Sequence, residues 1–311
     1  MNRKPFITVL IIAYNRREFI KRAIGSALSQ TLDREEYEII VIKNYRDELI
    51  DKYMDENNIK NIYSEKETLG GKLADGSLSS KGEVICFLED DDIFFSNKLE
   101  EVFKKFKEDE DLVYLHNRCK IVDDKNNFIK LGGDSIDFNL SSISIRKSTI
   151  YFDLVNKLTI GLDSFIFFNA LDSGKLISET EKLLTVYMFH QSSSVFKGTY
   201  EDAIIFNYST AKEFVDNINK FLQSVRTQNV RAHLLSWRVK FVLNCNIFGS
   251  LGNIDVKEDV KLSQVMEFLF SEYQNNLSFK SRAIKILEYY APNRIKNMIE
   301  FKRFKSGQRP T

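Results

Sequence analysis

Four acidic residues, Glu89-Asp90-Asp91-Asp92, follow directly on the apolar run Val84 to Leu88. Carboxylates at near contact repel one another, so such a run is favourable only where a cation or water separates them. Their hard oxygens suit Mg²⁺ or Mn²⁺. A metal site is one reading, and a solvated turn that caps the next helix is the other. Position favours the first, because ligands of open α/β sheets bind at the carboxyl ends of the strands. The first strand ends in the same manner, at Ala13-Tyr14-Asn15-Arg16.

The elements that must hold these residues are legible in the periodicity. Phe6 to Ala13 is apolar and β-branched without alternation, as expected of a central strand covered on both faces. Phe19, Ile20, Ala23, Ile24, Ala27 and Leu28 then recur at helical spacing, with Asn15 as the expected cap. A second buried strand at Glu38 to Lys43 completes a βαβ unit, right-handed by default. The pattern repeats through a strand at Ile59 to Tyr63, a helix at Lys72 to Ser80, a strand at Glu83 to Leu88 and a helix at Lys98 to Lys107. This predicts an α/β doubly wound sheet. From Leu112 to Val195 short strands are expected at Leu112 to His116, Ser142 to Arg146 and Leu183 to Phe189, with one helix at Asp163 to Ser173. Beyond Tyr200 four long helical patterns follow: Asp202 to Gln223, Val230 to Phe248, Val256 to Gln274 and Lys280 to Phe304. The cut falls near Gly198, giving regions 1–198 and 199–311.

In combination these residues resemble the family 2 glycosyltransferases of the GT-A fold. That family opens with a hydrophobic strand ending in Thr-Tyr-Asn-Arg, here Ala13 to Arg16, and continues with Ser-Leu-x-x-Gln, here Ala27 to Gln30. Its Tyr-Glu-Ile-Ile-Val is present as Tyr37 to Val41. Its Gly-Glu-x-Ile-x-Phe-Leu-Asp-x-Asp-Asp block is met by Gly82 to Asp92, and the ending Arg-x-His-x-x-Ser by Met188 to Ser193. The resemblance implies a Rossmann-like, mostly parallel sheet flanked by helices, carrying a metal-dependent inverting glycosyltransferase, with residues 199–311 as a helical extension for acceptor, membrane or oligomer contacts. It assigns Asp91 to the divalent ion, Mn²⁺ or Mg²⁺, with His190 completing the metal site or a loop over the donor. Glu89 and Asp90 would reach ribose or metal-bound water, and Lys72 would add positive charge at the phosphates. Ala13, Tyr14 and Arg16 would line the nucleotide. Asp163 is the implied general base, on the face opposite the leaving group, with a helix cap as its other reading. Two positions depart from the family. Leu162 replaces an acidic residue before Asp163, and Lys43-Asn44 replaces Asp-Asp, so the carboxylate that reads the donor base is missing. Lysine carries only donors, which leaves Asn44 to meet a base edge and Lys43 a phosphate.

Composition bounds the alternatives. The chain has 311 residues, 45 basic against 44 acidic, and 43% hydrophobic residues, so disorder is excluded and no overall field points to nucleic acid. Cys86, Cys119 and Cys245 are too widely spaced for a disulfide framework or zinc site, which fits a reducing compartment. The apolar run at 6–13 is too short to span a bilayer, and Met1 to Pro5 does not lead into an export signal. A cytoplasmic protein is therefore expected. Residues 280–311 carry nine Lys/Arg and two Glu, a net +7, interleaved with apolar residues. That pattern reads either as an amphipathic surface on anionic lipid, peripheral at the inner membrane face, or as a packed helix with a solvated basic face. The expected partners are a nucleoside-diphosphate sugar and a glycan or lipid-linked acceptor. Two competitors remain: a nucleotidyltransferase, disfavoured by the absence of glycine between Ala13 and Glu18, and a non-catalytic nucleotide-sugar-binding relative.

Overall fold

The computed structural model describes residues 4–14, 17–189, 198–256, 259–271 and 278–306, and the chain divides into two compact units, Met1–Ser193 and Ser194–Thr311. In the first unit β1 (Ile7–Ala13) is buried along its whole length. α1 (Ile20–Leu28) follows, burying Ile20, Ala23, Ile24 and Ala27. Asn15, the expected cap, lies outside the described residues; Phe19 occupies the N-cap and makes no side-chain cap bond. Next come β2 (Tyr37–Lys43), α2 (Glu48–Glu56), β3 (Lys60–Tyr63), α3 (Leu69–Leu78), β4 (Val84–Glu89), β5 (Ile93–Phe94) and α4 (Lys98–Glu108). The remainder is β6 (Leu112–Asp123), β7 (Phe128–Gly132), β8 (Ile143–Arg146), α5 (Phe152–Val155), α6 (Leu162–Asp172) and β9 (Leu176–Phe189).

Among the described residues these strands form one nine-stranded sheet, ordered β3-β2-β1-β4-β8-β6-β9-β5, with β7 on β6. The N-terminal half is parallel, as the continuous apolar strands demand. The second half is mixed: β8 enters antiparallel to both β4 and β6, while β6 and β9 run parallel. β6 and β9 are longer than their apolar cores suggest, because pairing carries them through polar residues such as Ser178, Glu179 and Thr180. Gly82 has a steric cause. A Cβ there would lie 2.5 Å from the Thr8 main-chain nitrogen, so only glycine lets the chain enter β4 beside β1.

The second unit is helical: α7 (Tyr200–Leu222), α8 (Gln228–Leu251), α9 (Leu262–Phe270), α10 (Phe279–Tyr290) and α11 (Asn293–Lys305). Thr199 and Asp202 close a reciprocal capping box at the start of α7. The single helix expected over Lys280 to Phe304 is two. Pro292 holds Ala291 in extended backbone and has no N–H to continue the ladder. α9 is shorter than its apolar pattern, and residues 272–277 at that pattern's end lie outside the described residues.

Candidate active site

The register fixes which residues share the carboxyl edge of the parallel strands. Ala13 pairs with Lys43, Lys43 with Tyr63, and Ile12 with Glu89. The ends of β1, β2 and β4 therefore form one row. The acidic turn continues β4 in this row, and its members point in different directions. Asp90 is buried and its Oδ2 accepts the Tyr14 main-chain N–H at 3.3 Å, latching the end of β1 to the end of β4. Asp92 is also buried; its Oδ1 accepts the Met188 N–H at 3.0 Å and its Oδ2 has no hydrogen-bond partner among the described residues. Burial, followed by the neighbouring Asp91, raises its pKa well above the carboxylate range. Asp91 alone of the three aspartates reaches partial exposure.

Lys72 reaches the same corner from α3. Its ammonium lies 4.5 Å from the centroid of the exposed Tyr14 ring and donates to the Lys66 carbonyl, and burial lowers its pKa. Tyr14, Lys72 and Asp90 are thus brought together from three elements. Lys43 is committed elsewhere: its buried ammonium donates to the Tyr45 carbonyl at 2.6 Å and pairs with Asp51 at 2.8 Å. Asn44 is half-buried at the end of β2. Arg16 and His190 lie outside the described residues.

Asp163 sits in the first turn of α6, which starts from Gly161 at φ +67, a left-handed conformation that favours glycine. Its carboxyl is raised to about 6, first by burial and then by the nearby Asp137, against hydrogen bonds from the main chain of Ser164 and Asn139. Asp137 is held in turn by the Ser164 hydroxyl at 2.7 Å and by Ser135. The Asn139 side chain accepts the Ser141 N–H at 2.9 Å, and the Ser141 hydroxyl accepts the Glu89 N–H at 2.9 Å. A chain of hydrogen bonds through Asn139 and Ser141 therefore connects Asp163 to the acidic turn.

Beneath this chain lies Lys98, the first residue of α4 and fully buried. Its ammonium donates to Asn117 Oδ1 and to the Ser141 carbonyl, both at 2.7 Å, and to Thr185 Oγ1 at 3.2 Å. Burial pulls its pKa down to about 8. Lys98 thus ties the Ser141 turn, whose hydroxyl meets Glu89, to β6 through Asn117 and to β9 through Thr185. The sequence reading missed Lys98, since a lysine opening an amphipathic helix reads as solvated. It also missed Asp137, in a loop without periodicity, and Tyr45, whose ring lies between the Arg17 and Lys43 cations at 5.2 and 5.1 Å. The Lys43 departure was the available signal for Tyr45.

The donors present fit a hard divalent cation. Among the described residues no group of three His, Cys, Asp or Glu side chains could hold an ion by itself. One outward carboxylate, Asp91, beside two inward ones matches the habit of Mg²⁺ and Mn²⁺, which take one or two carboxylates and complete their shell with water and phosphate oxygens.

Comparison with known proteins bears on the family and the fold. Residues 8–169, just over half of the chain, match the family model for glycosyl transferase family 2. An uncharacterized glycosyltransferase of Rickettsia bellii is 30% identical over 128 residues, 40% of this chain and 18% of its own length. The putative glycosyltransferase EpsH of Bacillus subtilis is 24% identical over 246 residues, 70% of this chain and 71% of EpsH. The matched stretch spans about half or less of the first curated relatives. The crystal structure of S. aureus TarS 1-349 in complex with UDP-GlcNAc superposes with a TM-score of 0.60 at 15% identity, covering 98% of this chain and 93% of TarS 1-349. With its motifs in order along one sheet, its acidic turn at the end of β4 and its match over residues 8–169, the chain belongs to glycosyl transferase family 2, on the GT-A fold.

Proposed function

We propose that this protein transfers a sugar from a nucleoside-diphosphate sugar to an acceptor hydroxyl with inversion, in glycan or glycolipid assembly, and that Asp91 holds Mn²⁺ or Mg²⁺ for the reaction. The observation that carries the proposal is the hydrogen-bonded link from the acidic turn through Ser141 and Asn139 to Asp163. It couples a carboxylate suited to the leaving diphosphate with one suited to the attacking hydroxyl. A divalent ion there would neutralise charge developing on the departing nucleoside diphosphate, a contribution of several kcal/mol.

Each residue then has a defined task. Tyr14 and Lys72 form a cationic and aromatic wall for the diphosphate and ribose, and Glu89 lies beside it with its main chain fixed by Ser141. Ala13 and Asn44 line the nucleotide from the strand ends; Arg16 and His190, outside the described residues, are assigned by the resemblance alone, the first to the nucleotide and the second to the ion or the donor. Asp90 and Lys43 act by shaping the edge, the first by latching Tyr14 and the second by bracing Tyr45 against α2. Asp163 takes the proton from the acceptor hydroxyl. A carboxylate raised to about 6 is a stronger base than an ordinary aspartate and is still ionised at neutral pH. That TarS was crystallised with UDP-GlcNAc supports a nucleoside-diphosphate sugar as the donor class. Lys43 stands where the family has an acidic residue and is paired with Asp51, so a base other than uracil is compatible with this edge.

The test is turnover of a panel of nucleoside-diphosphate sugars with Mn²⁺, comparing the wild type with Asp91→Asn. The expected result is release of nucleoside diphosphate by the wild type and a fall of about 10²–10³ in kcat in the variant, the scale for removing one electrostatic stabiliser of the transition state. Release of pyrophosphate would instead make the chain a nucleotidyltransferase, and binding without turnover would make it a non-catalytic relative.

A further inference from the structure

The last two helices are amphipathic in the reverse sense. α10 and α11 turn charged residues inward: Lys285, Glu288, Lys296 and Glu300 are all buried. Lys285 donates to Asn244 of α8 at 2.5 Å, Lys296 to Ser250 of α8 at 3.4 Å, and Arg303 pairs with Glu288 at 2.9 Å and with Glu300. Several of the apolar residues face out instead. Leu287 is 71% exposed, Met298 66% and Tyr290 61%, with Ile284, Ile295 and Phe301 also exposed. Exposed apolar surface on this scale, rimmed by polar groups, marks an interaction site.

The charges say which kind. Glu288 and Glu300 are the only acidic residues between Phe279 and Ser306, and both are buried. The exposed charges of α10 and α11 are therefore all basic: Lys280, Arg294, Lys302 and Lys305. An occupant must offer apolar contact and negative charge together. A second copy docking through the same face would set these cations against one another, as any isologous contact pairs a patch with itself. No helix among the described residues is long and apolar enough to cross a membrane. An apolar face flanked by Lys and Arg on helices that do not span matches the interfacial mode, in which apolar side chains enter the headgroup boundary and the cations meet anionic lipid.

We propose that the α10–α11 face docks the chain on an anionic lipid bilayer, with Leu287 and Met298 inserted and Lys302 and Lys305 at the headgroups. This stands apart from the sugar-transfer reading, since a chain that transfers nothing would bind equally well and a soluble acceptor would leave transfer intact.

The test is sedimentation of the full chain with vesicles of phosphatidylcholine, with and without about one third phosphatidylglycerol. The wild type binds only the anionic vesicles, and more weakly as salt is raised. Lys302→Ala/Lys305→Ala weakens binding about 30-fold, at about fivefold per basic residue near the surface. Leu287→Glu/Met298→Glu abolishes it. If that second variant fails to fold, as judged by circular dichroism, the lysine pair decides alone. Equal binding to neutral vesicles, no binding to either, or wild-type binding by the folded variants overturns the proposal. So does a concentration-dependent dimer that Met298→Glu dissociates in a chain that ignores vesicles, which would assign the face to a second copy.

Discussion

The parallel strands of the first unit and the last two helices of the second bury opposite kinds of surface. In the sheet unit β1, β2 and β4 are apolar along their length, and at their ends Asp90 of the acidic turn meets Tyr14, which lies against Lys72. In the helical unit α10 and α11 place Lys285, Glu288, Glu300 and Arg303 against their neighbours and leave Leu287 and Met298 in solvent. Even the buried lysines differ. Lys98 is met by neutral acceptors, whereas Lys285 lies among carboxylates. The contrast shows that a helical pattern of apolar residues identifies two faces without saying which turns inward. A strand that is apolar on both faces leaves no such choice.

Several measurements sharpen or break this contrast. The largest effect is expected at Arg303. Arg303→Met removes the guanidinium paired with buried Glu288 and Glu300 and leaves Lys285 as their remaining close cation, and breaking a buried pair in this way costs about 3–5 kcal/mol. Chemical denaturation of the full chain should show the loss; an unchanged midpoint would mean that the charged interior contributes nothing. In the sheet unit Leu10→Ala, in a fully buried strand, is expected to cost about 2–5 kcal/mol.

Asp163→Asn comes next, with a fall of about 10²–10⁴ in kcat as the proton acceptor is lost. The same substitution should raise the melting temperature at pH 7. A carboxyl whose pKa rises from 3.8 to about 6 on folding binds its proton more tightly in the native state, so stability declines as pH rises through that window, and the amide removes the decline. A melting temperature that falls would make Asp163 a helix cap. For the wild type, kcat/KM should drop about tenfold per pH unit below 6, because only the ionised carboxylate accepts a proton. The smallest effect is Leu287→Glu, expected within about 0.5 kcal/mol of the wild type because the side chain is already in solvent. Destabilisation on the scale of Leu10→Ala would mean that this apolar face packs inward after all.

Much of the fold was legible in the sequence. Runs such as Ile7 to Ala13 and Val84 to Leu88 are long enough only for strands and too uniformly apolar for an exposed sheet face, so their parallel pairing followed. The motif order also led to the family and to the acidic turn. The antiparallel insertion of β8, the full length of β6 and β9, and the break at Pro292 were less legible. Pairing partners extend strands through polar residues such as Glu179 and Thr180, and a single proline was outweighed by the amphipathic pattern on either side of it. In the site, Asp91 and Asp163 were marked by type and motif, but their supports were not. Asp137 precedes Asp163 by 26 residues in an irregular loop, and Lys98 meets Asn117, Ser141 and Thr185 across up to 87 positions.

By itself, the sequence determined where the apolar strands and helices lie, and that carboxylates cluster at a strand end, because both follow from local residue type and period. Tertiary structure decided the rest: which aspartate of the acidic turn looks outward, what braces Asp163, where the Lys43 charge is neutralised, and which face of α10 and α11 is covered. These depend on partners distant in sequence, whose contacts balance desolvation against pairing only once the chain has brought them together.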